Sequence, residues 1–431
     1  MTSAQPGAGP DVRRPPGERR AERRARLAEA APQQPVAPTR QLRPDELASG
    51  LVMGLEATRA PLERARGGRS AREAFEACVR DALEGGPCVV SFSGGRDSSA
   101  VLATAVDLAR REGHDPPIAV SLRFARVPSS EEDQWQRHVV TSLGVRDWEC
   151  VTLDQELDLV GDVASREADR HGVLWPPNTH FHTPVAELAR GGTLLTGFGG
   201  DEIMSPGWVW DRAALVLTRQ VRPRPSDLLE VGAAFSPAVV RRARLRRRPD
   251  PTPPMPWLTQ DAATRVRRAW RDLALAEPLR HEEAVRHVYW RSRYLSVALD
   301  SLALLARGHG AKARHPFADP DFVSMVAAER GAAGPRHRTR EMVRLFGDLL
   351  PRETITRVGK ATFNGAFFAE RSRAVVGAWD GTGVDESRVD VDSLRRTWAS
   401  ADPDARTYPL LQTIAAQQRS AGRNGSAEQC L

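Results

Sequence analysis

The stretch "PCVVSFSGGRDSSAVLATAVDLARREG", Pro87 to Gly113, decides the fold. Val89, Val90 and Phe92 form a short apolar run, Ser93, Gly94, Gly95, Asp97, Ser98 and Ser99 crowd one turn, and residues 98–112 read as a helix. A strand that passes into a helix through two glycines brings main-chain N–H groups and a helix N-terminus to one point, which suits an anion such as phosphate. Ser93, Ser98 and Ser99 add hydroxyl donors. The turn matches neither G-x-x-x-x-G-K-[ST] nor G-x-G-x-x-G. Asp97 is its unexpected member: a carboxylate among phosphate donors is repulsive unless a cation lies between, and magnesium is the natural candidate.

Outward from this turn, strands and helices alternate. "CVVSFS", "PIAVSLRF", "WECVTLD" and "TLLTGF" read as strands, with helices at 98–112, about 130–143, 156–170 and in "TPVAELAR". Short apolar strands separated by helices predict an α/β fold, a parallel sheet with helices on both faces, whose ligands bind beyond the carboxyl ends of the strands. The chain divides into an Arg/Pro-rich, largely disordered tail at 1–66, with one candidate helix at 44–64, and an α/β core at 67–215. A basic and proline-rich insertion at 216–257 and a mainly helical part at 258–431 follow; in the latter, "EEAVRHVYWRSRYLSVALDSLALLARG" predicts a core helix pair.

The formal charge of +7 is unevenly spread. Residues 1–44 carry nine Arg against four acidic residues, and "RRARLRRR" at 241–248 adds six more, which leaves the remainder at about −4. Neither run carries interleaved aromatic residues, so both read as solvated segments rather than nucleic-acid sites. No apolar run is long enough for a membrane span, and a cytoplasmic location is expected. Cys78, Cys88, Cys150 and Cys430 lack a C-x-x-C pair, which points away from disulfides, iron–sulfur clusters and zinc knuckles. Of 62 Lys plus Arg, only Lys312 and Lys360 are lysine. In such a chain a lysine invites a specific reason, because its compact ammonium does what a wide planar guanidinium cannot.

A second glycine-rich turn, "LLTGFGGDEIMSPG", ends in Asp201 and Glu202 at the close of the last expected strand. Two such turns, each with an aspartate and each at a strand end of one sheet, are suited to share one metal and one polyphosphate. "SFSGGRDSS" resembles the S-G-G-x-D-S loop of ATP pyrophosphatases. "LLTGFGGDE" and "ARHPFADPDFV" resemble the synthetase domain of asparagine synthetases and their relatives, among them β-lactam synthetases and lasso-peptide macrolactam synthetases. The resemblance covers roughly residues 70–370 and implies an adenine nucleotide α-hydrolase-like sheet.

It also implies a reaction. ATP adenylates a substrate carboxylate with release of pyrophosphate, and an amine or ammonia then displaces AMP to form an amide. By position, Ser93, Gly94, Gly95, Asp97, Ser98 and Ser99 hold pyrophosphate, Thr196 and Gly197 line the nucleotide, and Asp97 and Asp201 bind magnesium. Lys360 in "LLPRETITRVGKATFNGAFF" takes the place of a late catalytic lysine. The expected substrate is a small-molecule or peptide carboxylate, with an ammonia-supplying or pathway protein as a further partner.

Three departures qualify this. Thr2 follows Met1 where asparagine synthetases have a cysteine, and the preceding stretch is too short for a glutaminase domain, so glutamine hydrolysis is not expected. Phe198 stands where the family has a glutamate or tyrosine that helps deprotonate the amine. Lys312 replaces the glutamate of E-x-R-x-P-F, while Arg314, Pro316, Phe317 and Asp319 remain. Lys312 either holds a substrate anion or is a solvated bystander. A substitute base is sought in His180 and His182 of "WPPNTHFHTP", whose H-x-H spacing lacks a third ligand for zinc. A lactam-forming tailoring enzyme and a nucleotide-binding subunit that has lost catalysis are the alternative readings.

Overall fold

A computed structural model describes residues 40–65, 68–127, 132–205, 207–247, 252–357, 359 and 364–428. Lys360, Cys430, residues 1–39 and the junction of the basic and proline-rich runs at 248–251 lie outside them.

The first described helix, α1 (Pro44–Ser49), ends at Gly50 in the left-handed region with φ 66°. The helix expected over 44–64 is therefore only six residues long. A Cβ at Gly50 would stand 2.0 Å from the carbonyl oxygen of Arg406, so the chain turns there against the body. Residues 51–65 continue without helix. The segment is packed rather than a free tail: Ala48 and Val52 are buried, Arg59 lies 3.6 Å over the Trp290 ring, and Glu46 pairs with buried Arg293 at 2.6 Å.

The α/β core follows as α2 (Ala71–Glu84), β1 (Cys88–Ser91), α3 (Arg96–Glu112), β2 (Ile118–Phe124), α4 (Asp133–Leu143), β3 (Trp148–Leu153), α5 (Asp162–His171), α6 (Thr183–Leu188) and β4 (Thr193–Leu195). The four expected strands form. The helix expected at 156–170 starts later, because Gly161 is its N-cap and the segment before it is held as a turn by the Gly161 N–H bond to Asp158 O, 2.8 Å. Strand alternation sends side chains to opposite faces. Cys88, Val90, Ala119 and Leu195 pack with α2, α3 and α4; Val89, Ile118, Val120 and Leu194 pack with α6 and the later helix 293–308. Both faces are thus covered.

Beyond β4 come α7 (Gly200–Met204), α8 (Asp211–Leu217), α9 (Pro225–Ala234), α10 (Ala238–Arg247), α11 (Gln260–Ala276) and α12 (His281–Ala284), then a π-helical turn at Val285–Tyr289 and α13 (Arg293–Gly308). The expected basic insertion thus contains two helices, α9 and α10, with Leu228, Leu229, Phe235, Val239 and Val240 exposed. The expected core helix pair is α12 with its π-helical turn, and α13, which Ser292 caps through its hydroxyl bond from Leu295 N.

A fifth strand, β5 (Lys312–Arg314), extends the sheet where none was expected, so β4 is not the last strand. The sheet is parallel throughout with order β3-β2-β1-β4-β5. Strand order reverses between β1 and β4, and the crevice outside their carboxyl ends is where such sheets bind ligands. Both glycine turns open there. The chain finishes with α14 (Pro320–Arg330), α15 (Arg338–Phe346), α16 (Arg352–Thr356), α17 (Asn364–Phe367), α18 (Glu370–Ala378), α19 (Val391–Trp398) and α20 (Tyr408–Glu428).

Candidate active site

The turn after β1 is tied by its own hydroxyls. Ser93 N donates to Ser98 Oγ at 3.2 Å, the two serine hydroxyls lie 3.1 Å apart, and Gly95 N donates to Ser93 Oγ at 3.3 Å. Gly94 has φ 82°, a conformation that glycine adopts without strain. Gly95 is the N-cap of α3 and has no side chain to offer, so the first N–H groups of a 17-residue helix remain for an outside anion. Ser99 is fully buried, and the Ser98 hydroxyl donates within the turn to the Gly95 carbonyl at 3.1 Å.

The turn after β4 presses against the first. A Cβ at Gly197 would lie 2.8 Å from Ser98 N, and one at Gly200 would lie 2.4 Å from Asp97 Cγ. Glycine is required at both places by close approach. The consequence is that Asp97 and Asp201 face a shared point, and a third residue is there with them. Arg338, at the start of α15, donates to both carboxylate oxygens of Asp97 at 2.7 and 2.6 Å and also bonds Asp201 Oδ1. Burial alone would lower the Arg338 guanidinium, but the charges and hydrogen bonds of Asp97 and Asp201 outweigh it and hold it above its usual value. Two carboxylates that share one cation form a donor set that fits magnesium, which takes one or two carboxylates and completes its shell with phosphate oxygens and water. Among the described residues no group of three or more His, Cys, Asp or Glu is placed to hold a metal by itself.

Arg357 bonds the carbonyl of Gly94 at 3.2 Å, pairs with Glu132 and stacks over Trp135 at 4.9 Å. Arg357 thus ties the end of α16 to the turn after β1.

On the other side of the crevice, the Thr196 hydroxyl lies 2.7 Å from His315 Nδ1 and accepts from Phe198 N at 3.2 Å. Burial pushes the His315 imidazole down to about 3, and burial with the neighbouring His180 pushes His182 down to about 4. Both rings are neutral at physiological pH. His182 Nδ1 lies 3.3 Å from Ser91 Oγ at the end of β1. His180, by contrast, is buried with its two nitrogens 3.1 and 2.9 Å from the carbonyls of Pro177 and Leu157, so it braces its loop and does not face substrate. Lys312 is exposed and opposite Thr193, at the amino end of the sheet, away from both glycine turns. Arg314 is exposed opposite Leu195 at the carboxyl end, and its carbonyl accepts from Thr196 N at 3.2 Å.

Phe198 contacts His315 edge-on at 5.9 Å and lies nearly parallel to Tyr294 at 6.4 Å. Tyr294 meets Trp175 edge-on at 4.9 Å and donates its hydroxyl to Glu202. Burial and the Glu202 charge raise this phenol well above its usual range, so its proton stays on. Arg338, Arg357 and Tyr294 were not found by sequence reasoning. The two arginines carry no signal in a chain so rich in them; Tyr294 is one of three tyrosines, and that scarcity was available.

The family model described as Asparagine synthase matches residues 70–417. The chain belongs to the asparagine synthase family. The match spans well over half of the sequence and includes both glycine turns, β5 and α15. Membership makes this asparagine synthase-family protein a ligase-type, ATP-using synthetase. No curated protein matches it. Among the described residues no helix is long and apolar enough to cross a membrane.

Proposed function

We propose that the protein adenylates a substrate carboxylate with ATP, releases pyrophosphate and passes the acyl group to an amine, without hydrolysing glutamine. The observation that carries this reading is the meeting of Asp97 and Asp201 on one cation between two glycine turns at the switch point of the sheet. Cleavage between the α and β phosphates moves charge onto the leaving pyrophosphate, and fixed donors aimed there lower the barrier.

In this reading the Gly94–Gly95 turn and the N-terminus of α3 receive pyrophosphate, with Ser93 and Ser98 shaping the turn. Thr196 and Gly197 line the nucleotide beside His315. Asp97 and Asp201 would hold magnesium, which when bound neutralises phosphate charge and polarises the scissile bond. Arg338 compensates the charge of the two carboxylates. Lys360 supplies a compact positive charge to the transition states of both half-reactions, a role a guanidinium fills poorly.

Carboxylate-dependent exchange of pyrophosphate into ATP tests the reading. Aspartate, β-amino acids and peptides are assayed in turn, and exchange with at least one is expected, as is AMP rather than ADP among the products. Absence of exchange with every carboxylate, in protein that binds ATP, would favour a nucleotide-binding subunit without catalysis.

A further inference from the structure

We infer that Glu202, Tyr294 and Phe198 form the receptor for the acceptor amine, and that this acceptor is a primary ammonium carried on an apolar group rather than free ammonia. The inference rests on the ligase reading above and names the nucleophile's binding site within it.

Glu202 differs from the other carboxylates around the crevice. Asp97 and Asp201 are neutralised by Arg338, Glu132 by Arg357, and Glu46 and Glu56 by Arg293. In a chain with so many arginines, Glu202 has no ion pair among the described residues; its donor is the neutral hydroxyl of Tyr294. A phenol fixes the carboxylate by one hydrogen bond and leaves its full negative charge in place. Glu202 is exposed and directly follows Asp201 on α7, so the charge stands beside the point where the nucleotide phosphates are expected, open to an incoming cation.

The wall beside it is aromatic and apolar. Phe198 and Tyr294 are half-buried and nearly parallel, Trp175 is edge-on to Tyr294, and Val52, Val297 and Ala298 back the group. Ring faces attract an ammonium through their quadrupole, and their area attracts hydrocarbon. A carboxylate set at the rim of such a wall discriminates for a molecule with a cationic head and an apolar body. It has little to offer ammonia, which has no body. Phe198 is the residue whose place in the family is held by a glutamate or tyrosine; here its ring serves as surface, and the carboxylate comes from the next turn of chain.

Calorimetric titration of the full chain with 2-phenylethylamine, 2-phenylethanol and ammonium chloride tests this. The amine is expected to bind at least tenfold more tightly than the alcohol, and ammonium chloride to compete at least tenfold more weakly than the amine. Glu202→Gln is expected to weaken the amine at least tenfold and to change the alcohol less than twofold, a split that a folding defect does not produce. Phe198→Ala should weaken both probes, and Lys312→Ala, at the far end of the sheet, neither. Equal binding of amine and alcohol, equal competition by ammonium chloride, or an unaltered amine affinity in Glu202→Gln overturns the proposal. Exchange of pyrophosphate into ATP without amine binding removes the amine site and leaves the ligase reading; selective amine binding without exchange supports the site and removes the ligase reading.

Discussion

At Gly200 the missing side chain is what lets the two turns meet. An alanine there would set its Cβ 2.4 Å from Asp97 Cγ and 2.6 Å from Asp97 Oδ1. Relief requires one turn to shift, at a cost of about 1–3 kcal/mol for an overpacked site, so Gly200→Ala is expected to lower pyrophosphate exchange by roughly tenfold or more in protein that still folds; normal exchange would show that the close approach is not needed. Arg338→Met removes the guanidinium that Asp97 and Asp201 share, with an expected loss of about 1–2 kcal/mol because Asp201 is half exposed and partly screened. That deficit, read from denaturant midpoints, should shrink when magnesium is added; a deficit indifferent to magnesium would mean the pair is not a cation site. Lys360→Arg is expected to abolish amide formation and leave the denaturant midpoint unchanged, while near-normal turnover would remove the lysine from catalysis. The glycines and aspartates of the site were legible because each residue type has a narrow range of uses at a strand end. Arg338 was not, since nothing local distinguishes one arginine among so many and its partners lie far away in sequence.

At the scale of elements, strands β1 to β4 were legible from short apolar runs alternating with helical segments, and the break between the pair of late core helices falls within the expected segment. β5 was not, because three residues with two charged side chains, Lys312 and Arg314, give no apolar run; their pairing with β4 is what makes them a strand. The packing of residues 40–65, the described part of the expected tail, was not legible for the opposite reason. Their composition is that of a tail, but Glu46 and Glu56 hold Arg293, and Arg40 pairs with Asp300. These contacts fix the first turn of α13, which carries Tyr294. Glu46→Gln removes the main partner of a guanidinium that is 5% exposed, at an expected cost of about 3 kcal/mol. The measurement is the denaturant midpoint, together with the affinity for 2-phenylethylamine, which should also fall. An unchanged midpoint would show that the segment is only laid on the body.

For the whole molecule, the balance of buried titratable groups sets the pH range of stability. Burial pushes His281 and His315 down to about 3 and His182 down to about 4. Their unfolded imidazoles take up protons near 6.5, so between these values the unfolded chain binds more protons and stability falls as pH falls. Glu277 acts in the other direction: burial raises it to about 7, so the folded chain keeps a proton that the unfolded chain loses near 4.5, and stability from this group falls as pH rises across that interval. Between about pH 4.5 and 6.5 three imidazoles oppose one carboxyl. The net excess of two protons gives a slope of at most about 3 kcal/mol per pH unit, reduced for His182 and His315 because they are only partly buried. Stability should therefore rise with pH to a maximum at about 6.5–7, where the imidazole contribution ends and that of Glu277 is still declining. Denaturant midpoints at about pH 5, 6 and 7 measure the curve. His281 is the group to remove, being buried and edge-on to Trp208 at 4.8 Å. His281→Phe should flatten the acid limb by about half, whereas an acid limb of unchanged slope in that variant, or none in the parent chain, would show that these rings are already charged in the folded protein.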